Sequence, residues 1–149
     1  MSIRLIVVGK IKEEYYRNKI EEYITQIRKK NNFELIEIPD ESIPKNSNDT
    51  INQSVKEKEG TKILSYINNT DYVVALYIDG KMMISDRLND LLKETTLRGK
   101  KDIVFIIGGS LGLSDNVVKR ADKLLSFSKM TFPHQLMRVM LLEQFANYL

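Results

Sequence analysis

The sequence predicts one α/β domain over residues 1–149, with a mostly parallel sheet and helices on both faces. Five short runs rich in β-branched and apolar residues read as strands. These runs alternate with segments whose apolar residues recur every three or four positions, as on one face of a helix. Such alternation is typical of α/β proteins, and 149 residues correspond to a single domain.

The predicted elements follow one another without an internal repeat or a linker. The first half is predicted to contain a strand over 3–8, a helix over 12–30, a strand over 33–38, a loop over 41–48 and a helix over about 50–67. The first half of that second helix, 53–60, is strongly polar, and we expect it to face solvent. The second half is predicted to contain a strand over 72–78, a turn at Asp79-Gly80, a helix capped by Ser85, a strand over 102–107, a short helix capped by Ser114, a strand over 124–127 and a helix from Pro133 to about Tyr148.

Three of the predicted strands run into segments that suit a ligand. They are residues 76–80, the glycine-rich turn 108–112, and the hydroxyl-bearing turn 126–131 before the last helix. In open parallel sheets ligands bind beyond the carboxyl ends of the strands. We therefore expect these three segments to meet at one edge of the sheet and to form a small-molecule pocket.

The glycine-rich turn matches neither of two common nucleotide motifs. Ile107 occupies the first glycine position of G-x-G-x-x-G, and no P-loop is present. One interpretation is a simple tight turn between a strand and a helix. The other is that Gly108, Gly109 and Gly112 bring the backbone close to a flat or bulky ligand without interference from a Cβ atom.

Composition excludes several classes of protein. The chain has no cysteine and one histidine, His134, so neither a disulfide framework nor a histidine-rich metal site is expected, and we predict no metal. No apolar run approaches the length of a membrane span, and the N-terminus does not read as a signal peptide. These features indicate a cytoplasmic protein. The net charge of +3 permits an anionic partner, and Lys119, Arg120, Lys123 and Lys129 flank the predicted pocket.

His134 and Arg138 each have two interpretations. A single histidine at a helix start is more often a capping or buried hydrogen-bonding group than a catalyst. Arg138 lies one turn later on the same face, where it serves either as a salt-bridge or protomer contact or as a clamp for phosphate or carboxylate. Phe127 and Phe132 are candidates for stacking on a base, with core packing as the alternative.

The chain resembles the RlmH family in several blocks that together span it as far as Gln144. They are Val7-Val-Gly-Lys10, Pro39-Asp-Glu41, Lys56-Glu-Lys-Glu-Gly60, Ile107-Gly-Gly-Ser-Leu-Gly-Leu113, Leu125-Ser-Phe-Ser-Lys-Met-Thr-Phe-Pro-His-Gln135 and Leu142-Glu-Gln144. RlmH proteins are SPOUT-class enzymes that use S-adenosylmethionine to methylate N3 of a pseudouridine in 23S ribosomal RNA. The resemblance implies a C-terminal trefoil knot, a homodimer and the assembled ribosome as partner.

The resemblance also implies which residues form the site. Those expected to bind the cofactor are Leu76, Gly108, Gly109, Phe127, Ser128, Lys129, Met130, Thr131 and Phe132. For catalysis the candidates are His134 as the proton acceptor, and Lys129 and Arg138 as groups that hold developing charge or a nearby phosphate. The cofactor would supply the electrophile, so the protein has to position and deprotonate the ring nitrogen.

The chain departs from the family after Gln144. Family members continue with an aromatic residue, Arg, Ala and a basic tail, whereas this sequence reads Phe145-Ala-Asn-Tyr-Leu149. An alternative function is therefore a cofactor-binding but catalytically impaired RNA- or ribosome-binding protein. A flavodoxin-like nucleotide or flavin domain is a second alternative, suggested by the alternating pattern alone.

Overall fold

The computed structural model describes residues 1–149 as one parallel sheet covered by helices. Its elements are β1 (Ser2–Val8), α1 (Glu14–Arg28), β2 (Asn32–Ile38), α2 (Asp49–Ser65), β3 (Asp71–Met82), α3 (Leu88–Leu97), β4 (Asp102–Ile107), α4 (Asp115–Arg120), β5 (Lys123–Ser126) and α5 (His134–Tyr148). A single 3-10 turn, Ser85–Arg87, precedes α3. These bounds confirm every strand and helix that the sequence predicts, with shifts of a few residues at their ends.

The strand order is β2-β1-β4-β3-β5, and all four pairings are parallel. The predicted α/β class is therefore confirmed. The order differs from the 2-1-3-4-5 order of flavodoxin-like domains, which contradicts that alternative. The C-terminal knot implied by the family resemblance stays a prediction.

Alternating side chains of the central strands form a separate core on each face of the sheet. Ile3, Leu5 and Val7 of β1 pack on one side with α1, α3 and α5, whereas Ile6 and Val8 pack on the other side with α2 and α4. Because β1, β4 and the first half of β3 are apolar on both faces, they are largely buried, whereas β3 beyond Ala75 is partly exposed. This arrangement confirms the prediction of helices on both faces.

The predicted turn at Asp79-Gly80 is wrong, because β3 continues through it to Met82. Leu125 of β5 pairs with both Leu76 and Lys81, so residues 77–80 form a bulge in β3. A Cβ atom on Gly80 would lie 2.7 Å from the carbonyl carbon of Leu124. The glycine is required for this close approach of two backbones and not for a reversal of the chain.

Two further local predictions differ from the structure. The Ser85 hydroxyl does not cap a helix but donates to Oε1 of Gln144 on α5. The polar first half of α2 is not wholly solvent-facing, since Val55, Glu59 and Gly60 are buried. By contrast, Ser114 caps α4 as predicted, its hydroxyl accepting from the Val117 N–H. None of the five helices combines the length with the apolar character that crossing a membrane requires.

Candidate functional site

A cavity of about 390 Å³ lies where β3, β4 and β5 end. Its wall comes mainly from the segments 76–78, 107–113 and 125–132. These are the three segments that the sequence predicts to converge. The volume lies within the range of about 300–1,000 Å³ that is usual for small-molecule sites.

The bulge in β3 shapes one side of the cavity. Because β3 departs from β5 between Leu76 and Lys81, Tyr77 and Ile78 leave the regular sheet and line the cavity with Leu76. The sequence predicts that the segment 76–80 contributes to the pocket, and Leu76, Tyr77 and Ile78 do line the cavity. The bulge that places them there was not predicted, because Asp79-Gly80 was taken for a turn.

The glycine-rich turn is closed by contacts within the protein. Gly112 has φ +87° and its N–H donates to the Gly109 carbonyl at 3.0 Å. A Cβ on Gly108 would lie 2.8 Å from Cδ2 of Leu113 and 3.0 Å from the Gly112 backbone. The tight-turn interpretation therefore accounts for these glycines, and Gly108 and Gly109 both line the cavity as predicted.

The segment between β5 and α5 forms the opposite wall. The Ser126 hydroxyl donates to the Ser128 carbonyl at 2.9 Å, and the Met130 N–H donates to Oγ of Ser128 at 3.0 Å. These two bonds give the loop a defined shape without regular secondary structure. The predicted residues of this segment that line the cavity are Phe127, Ser128, Met130, Thr131 and Phe132. Lys129 is exposed and does not line it.

His134 is the first residue of α5 and lines the cavity. Burial lowers the pKa of its imidazole from the usual value, and the positive charge of Arg138 lowers it further, whereas Asp40 acts in the opposite direction. The ring is therefore neutral at neutral pH. A neutral imidazole facing a cavity can accept a proton.

Arg138 lies away from the cavity and is almost completely buried, with 1% of its surface exposed. Its guanidinium donates to Oε2 of Glu37 at 3.0 Å and to the carbonyls of Gly9 and Val8 at 2.8 and 3.3 Å. Burial lowers the pKa of Arg138, and Glu37 opposes this. These bonds match the salt-bridge interpretation and tie α5 to the carboxyl ends of β1 and β2.

Several cavity residues are missed by the sequence analysis. The charged ones are Lys56 on α2 and Asp115 at the start of α4, and the apolar ones include Leu113, Val118 and Met137. The Lys56–Gly60 block carries part of the family resemblance, which is the only sequence signal for Lys56. Asp115 directly follows the Ser114 cap, and a first-turn carboxylate of this kind is common in helices without any site.

The arrangement suits a ligand that is partly aromatic and partly polar. Twelve of the 21 residues that line the cavity are hydrophobic, so a flat apolar group can be buried there. Hydroxyls, backbone amides and one imidazole supply the polar contacts. No three histidine or carboxylate side chains converge in a way that would hold a metal ion.

Comparison with known proteins agrees with the fold. The family described as "Predicted SPOUT methyltransferase" matches residues 1–146. Among the similar curated proteins is ribosomal RNA large subunit methyltransferase H of Streptococcus thermophilus, which is 49% identical over 144 residues, covering 97% of this chain and 91% of that protein. Proteins of the same name from Clostridium kluyveri and Streptococcus mutans are 49% and 47% identical, with the same coverage.

Proposed function

Because the chain belongs to the SPOUT methyltransferase family, we propose that it methylates N3 of a pseudouridine in 23S ribosomal RNA of the ribosome, using S-adenosylmethionine. One observation carries this proposal. The segments that the RlmH resemblance assigns to the cofactor line a single cavity of about 390 Å³ at the carboxyl edge of the sheet. That the relatives are named large subunit ribosomal RNA methyltransferases supports the substrate class.

The cavity fits the cofactor in size and in chemistry. Phe127, Phe132 and Leu76 offer an apolar surface for the adenine ring, and the backbone at Gly108 and Gly109 offers hydrogen-bonding groups. The side chains and amides of Ser128, Met130 and Thr131 enclose the opposite side. When bound, S-adenosylmethionine supplies an electrophilic methyl group on a sulfonium.

The chain itself has to orient the pseudouridine and to remove the proton from its N3. His134 is placed for that proton transfer, because its imidazole lines the cavity and is kept neutral by burial. Lys129, exposed beside the cavity, is placed to meet an RNA phosphate. Arg138 contributes from outside the cavity by holding α5, and with it His134, against β1 and β2.

The proposal includes a homodimer in the cytoplasm, where ribosomes are found. Of the apolar residues of α5, Leu141 and Phe145 are fully buried within one chain and are not available to a partner. Leu136, Met137 and Met140 remain partly exposed. A stronger support is the apolar surface near the cavity, where Ile78, Met82, Ile84 and Met130 are all exposed.

The experiment that tests the proposal is methyl transfer to intact ribosomes. Purified protein is incubated with methyl-labelled S-adenosylmethionine and ribosomes, and the label is mapped on 23S ribosomal RNA by nuclease digestion and mass spectrometry. Ribosomes whose 23S RNA carries uridine in place of pseudouridine serve as the matched control. We expect label on one pseudouridine and none on the control.

Two results would contradict the proposal in different ways. Binding of S-adenosylmethionine without transfer to any ribosomal particle would favour the catalytically impaired alternative. Equal labelling of the uridine control would contradict pseudouridine as the target while leaving the methyltransferase assignment intact.

A further inference from the structure

Two side chains of opposite charge line the cavity. Of the 21 residues that line it, only Lys56 on α2 and Asp115 on α4 are charged at neutral pH, since His134 is neutral there. Neither of them forms an ion pair with another side chain of the protein. The cavity therefore offers one cation and one anion that the fold itself does not use.

The contact between α2 and α4 brings these two charges to one end of the cavity. The helices meet closely, since a Cβ atom on Gly60 would lie 2.9 Å from Cβ of Ser114. Lys56 precedes Gly60 by four residues and so lies one turn away on the same helix face. Asp115 directly follows Ser114. The two charges thus flank a single helix contact, and the rest of the cavity wall is uncharged.

This combination of charges indicates the class of ligand group that fits between α2 and α4. A phosphate group would bring only negative charge, which Asp115 would repel. A polyamine would bring only positive charge, which Lys56 would repel. A group that carries one carboxylate and one ammonium complements both side chains. The free end of an amino acid is such a group.

Resting on the proposed function, we propose that Lys56 and Asp115 bind the amino-acid end of S-adenosylmethionine. Lys56 pairs with its α-carboxylate and Asp115 with its α-ammonium group, as charge-assisted hydrogen bonds. The adenosine part is uncharged and suits the remaining wall, which is mostly apolar. Lys56 and Asp115 are specificity-determining residues, because they select adenosine compounds that carry an amino-acid end from those that lack it.

The exposure of the two side chains determines which contributes more. Lys56 is partly buried, whereas Asp115 is exposed, so water and salt screen the charge of Asp115 more strongly. We therefore expect removal of the lysine charge to weaken binding of the amino-acid end more than removal of the aspartate charge.

The test compares two ligands that differ at this end, by calorimetry at about pH 7, where lysine and aspartate side chains are charged. S-adenosylhomocysteine carries the amino-acid end, and methylthioadenosine is a thioether of the same nucleoside that lacks it. Lys56→Met should reduce the preference for S-adenosylhomocysteine by about three- to tenfold, between the effects of an exposed ion pair and of a hydrogen bond to a charged group. Asp115→Asn should reduce it by about two- to fivefold, as for an exposed ion pair.

A third ligand assigns each side chain to its group. S-adenosyl-3-thiopropylamine keeps the ammonium group of S-adenosylhomocysteine and lacks the carboxylate. Asp115→Asn should weaken binding of this amine, whereas Lys56→Met should not. Weaker binding of the amine to Lys56→Met would overturn the assignment of Lys56 to the carboxylate.

Lys58→Met and Asp86→Asn are the matched controls. Lys58 is exposed on the same helix as Lys56, Asp86 is exposed in the 3-10 turn before α3, and neither lines the cavity. These variants make the same changes in charge and should leave the preference unchanged. A thermal unfolding curve verifies that each variant is folded. If Lys56→Met does not fold, Lys56→Gln decides by the same ratio of dissociation constants.

Three results overturn the proposal. The first is an unchanged preference in either folded cavity variant, and the second is an equal loss of affinity for S-adenosylhomocysteine and methylthioadenosine. The third is wild-type protein that binds these two ligands equally well, which leaves the proposed function intact. Failure of the wild-type protein to bind S-adenosylmethionine or any of the three test ligands contradicts the proposed function itself and removes the basis of this inference.

Discussion

His134 shows how the position of one side chain determines its charge. Burial at the cavity and the nearby guanidinium of Arg138 both disfavour the imidazolium, so the pKa in the folded protein lies below the usual value. In the unfolded chain the ring titrates near its ordinary value of about 6.5. The unfolded state therefore binds more protons than the folded state between these two pKa values.

This difference predicts how stability depends on pH. Since the unfolded state takes up the extra proton, the contribution of His134 is present above about pH 6.5 and is lost as the pH falls toward the folded pKa. The free energy of unfolding, measured by urea denaturation at about pH 8 and about pH 5.5, should fall more in the wild type than in His134→Gln. Burial raises the pKa of Glu59, so this carboxyl favours the folded state in acid and changes stability with pH in the opposite direction. Both proteins contain Glu59, so its contribution cancels in the comparison. An equal fall in the free energy of unfolding of the wild type and of His134→Gln would contradict the assigned environment of His134.

Arg138 is predicted to stabilise the fold rather than to bind substrate directly. Replacement by Met leaves Glu37 and the carbonyls of Val8 and Gly9 without their donor. We expect a loss of about 1–3 kcal/mol in the free energy of unfolding, as for buried hydrogen-bond acceptors left without a donor, because the Glu37 side chain is 35% exposed and water can solvate its charge. Arg138→Lys should lose less, because the charge remains although the planar fork is lost. Arg17→Met, at an exposed arginine, should change stability by less than about 0.5 kcal/mol.

At the scale of elements, the bulge in β3 is the feature that opens the cavity. Gly80 allows the β3 backbone to return to β5, since its Cβ position lies 2.7 Å from the Leu124 carbonyl carbon. We expect Gly80→Ala to destabilise the protein by about 1–3 kcal/mol, the usual cost of overpacking. Lys81→Ala at the exposed neighbouring position is the control. Equal stability of the two variants in urea would show that β3 and β5 are not held this closely.

The glycine-rich turn yields a second prediction at this scale. Gly108→Val places branched atoms where Leu113 and the Gly112 backbone already lie, so the turn has to open. We expect affinity for S-adenosylmethionine to fall at least about tenfold, which corresponds to 1.4 kcal/mol of binding free energy. Ser110→Ala, at an exposed residue of the same turn, should bind normally. Calorimetry that finds equal affinity for both variants would contradict the placement of the cofactor beside Gly108.

The elements also show which structural features can be predicted from neighbouring residues in the sequence. The strands were predictable because short runs such as residues 3–8 are rich in β-branched and apolar residues, as strands buried on both faces of a parallel sheet are. The Ser85 hydroxyl was mistaken for a cap because its partner, Gln144, lies 59 residues away in sequence. Asp79-Gly80 was mistaken for a turn because a glycine needed for close approach to Leu124 looks the same as one needed for a chain reversal.

For the whole molecule, convergence of three strand ends was predictable and the charges around them were not. Parallel strands bring their carboxyl ends to one edge, so Leu76, Gly108 and Met130 could be placed together from sequence. Lys56 and Glu59 approach the same edge from α2, whose position follows only from packing of the folded chain. Arg138 turns inward for the same reason, because its partners come from β1 and β2.

Association into a homodimer is the remaining prediction at this scale. Ile84 is 66% exposed near the apolar residues around the cavity, whereas Leu97 is 86% exposed at the opposite end of α3. If the surface containing Ile84 is the dimer interface, Ile84→Lys places a charge in it and should convert the dimer to a monomer, since buried unpaired charge strongly disfavours association. Leu97→Lys makes the same chemical change elsewhere and should remain dimeric. Sedimentation velocity at micromolar concentration distinguishes these outcomes. An interface at the mouth of the cavity would be contradicted if the wild type is a monomer. It would also be contradicted if Ile84→Lys is still a dimer.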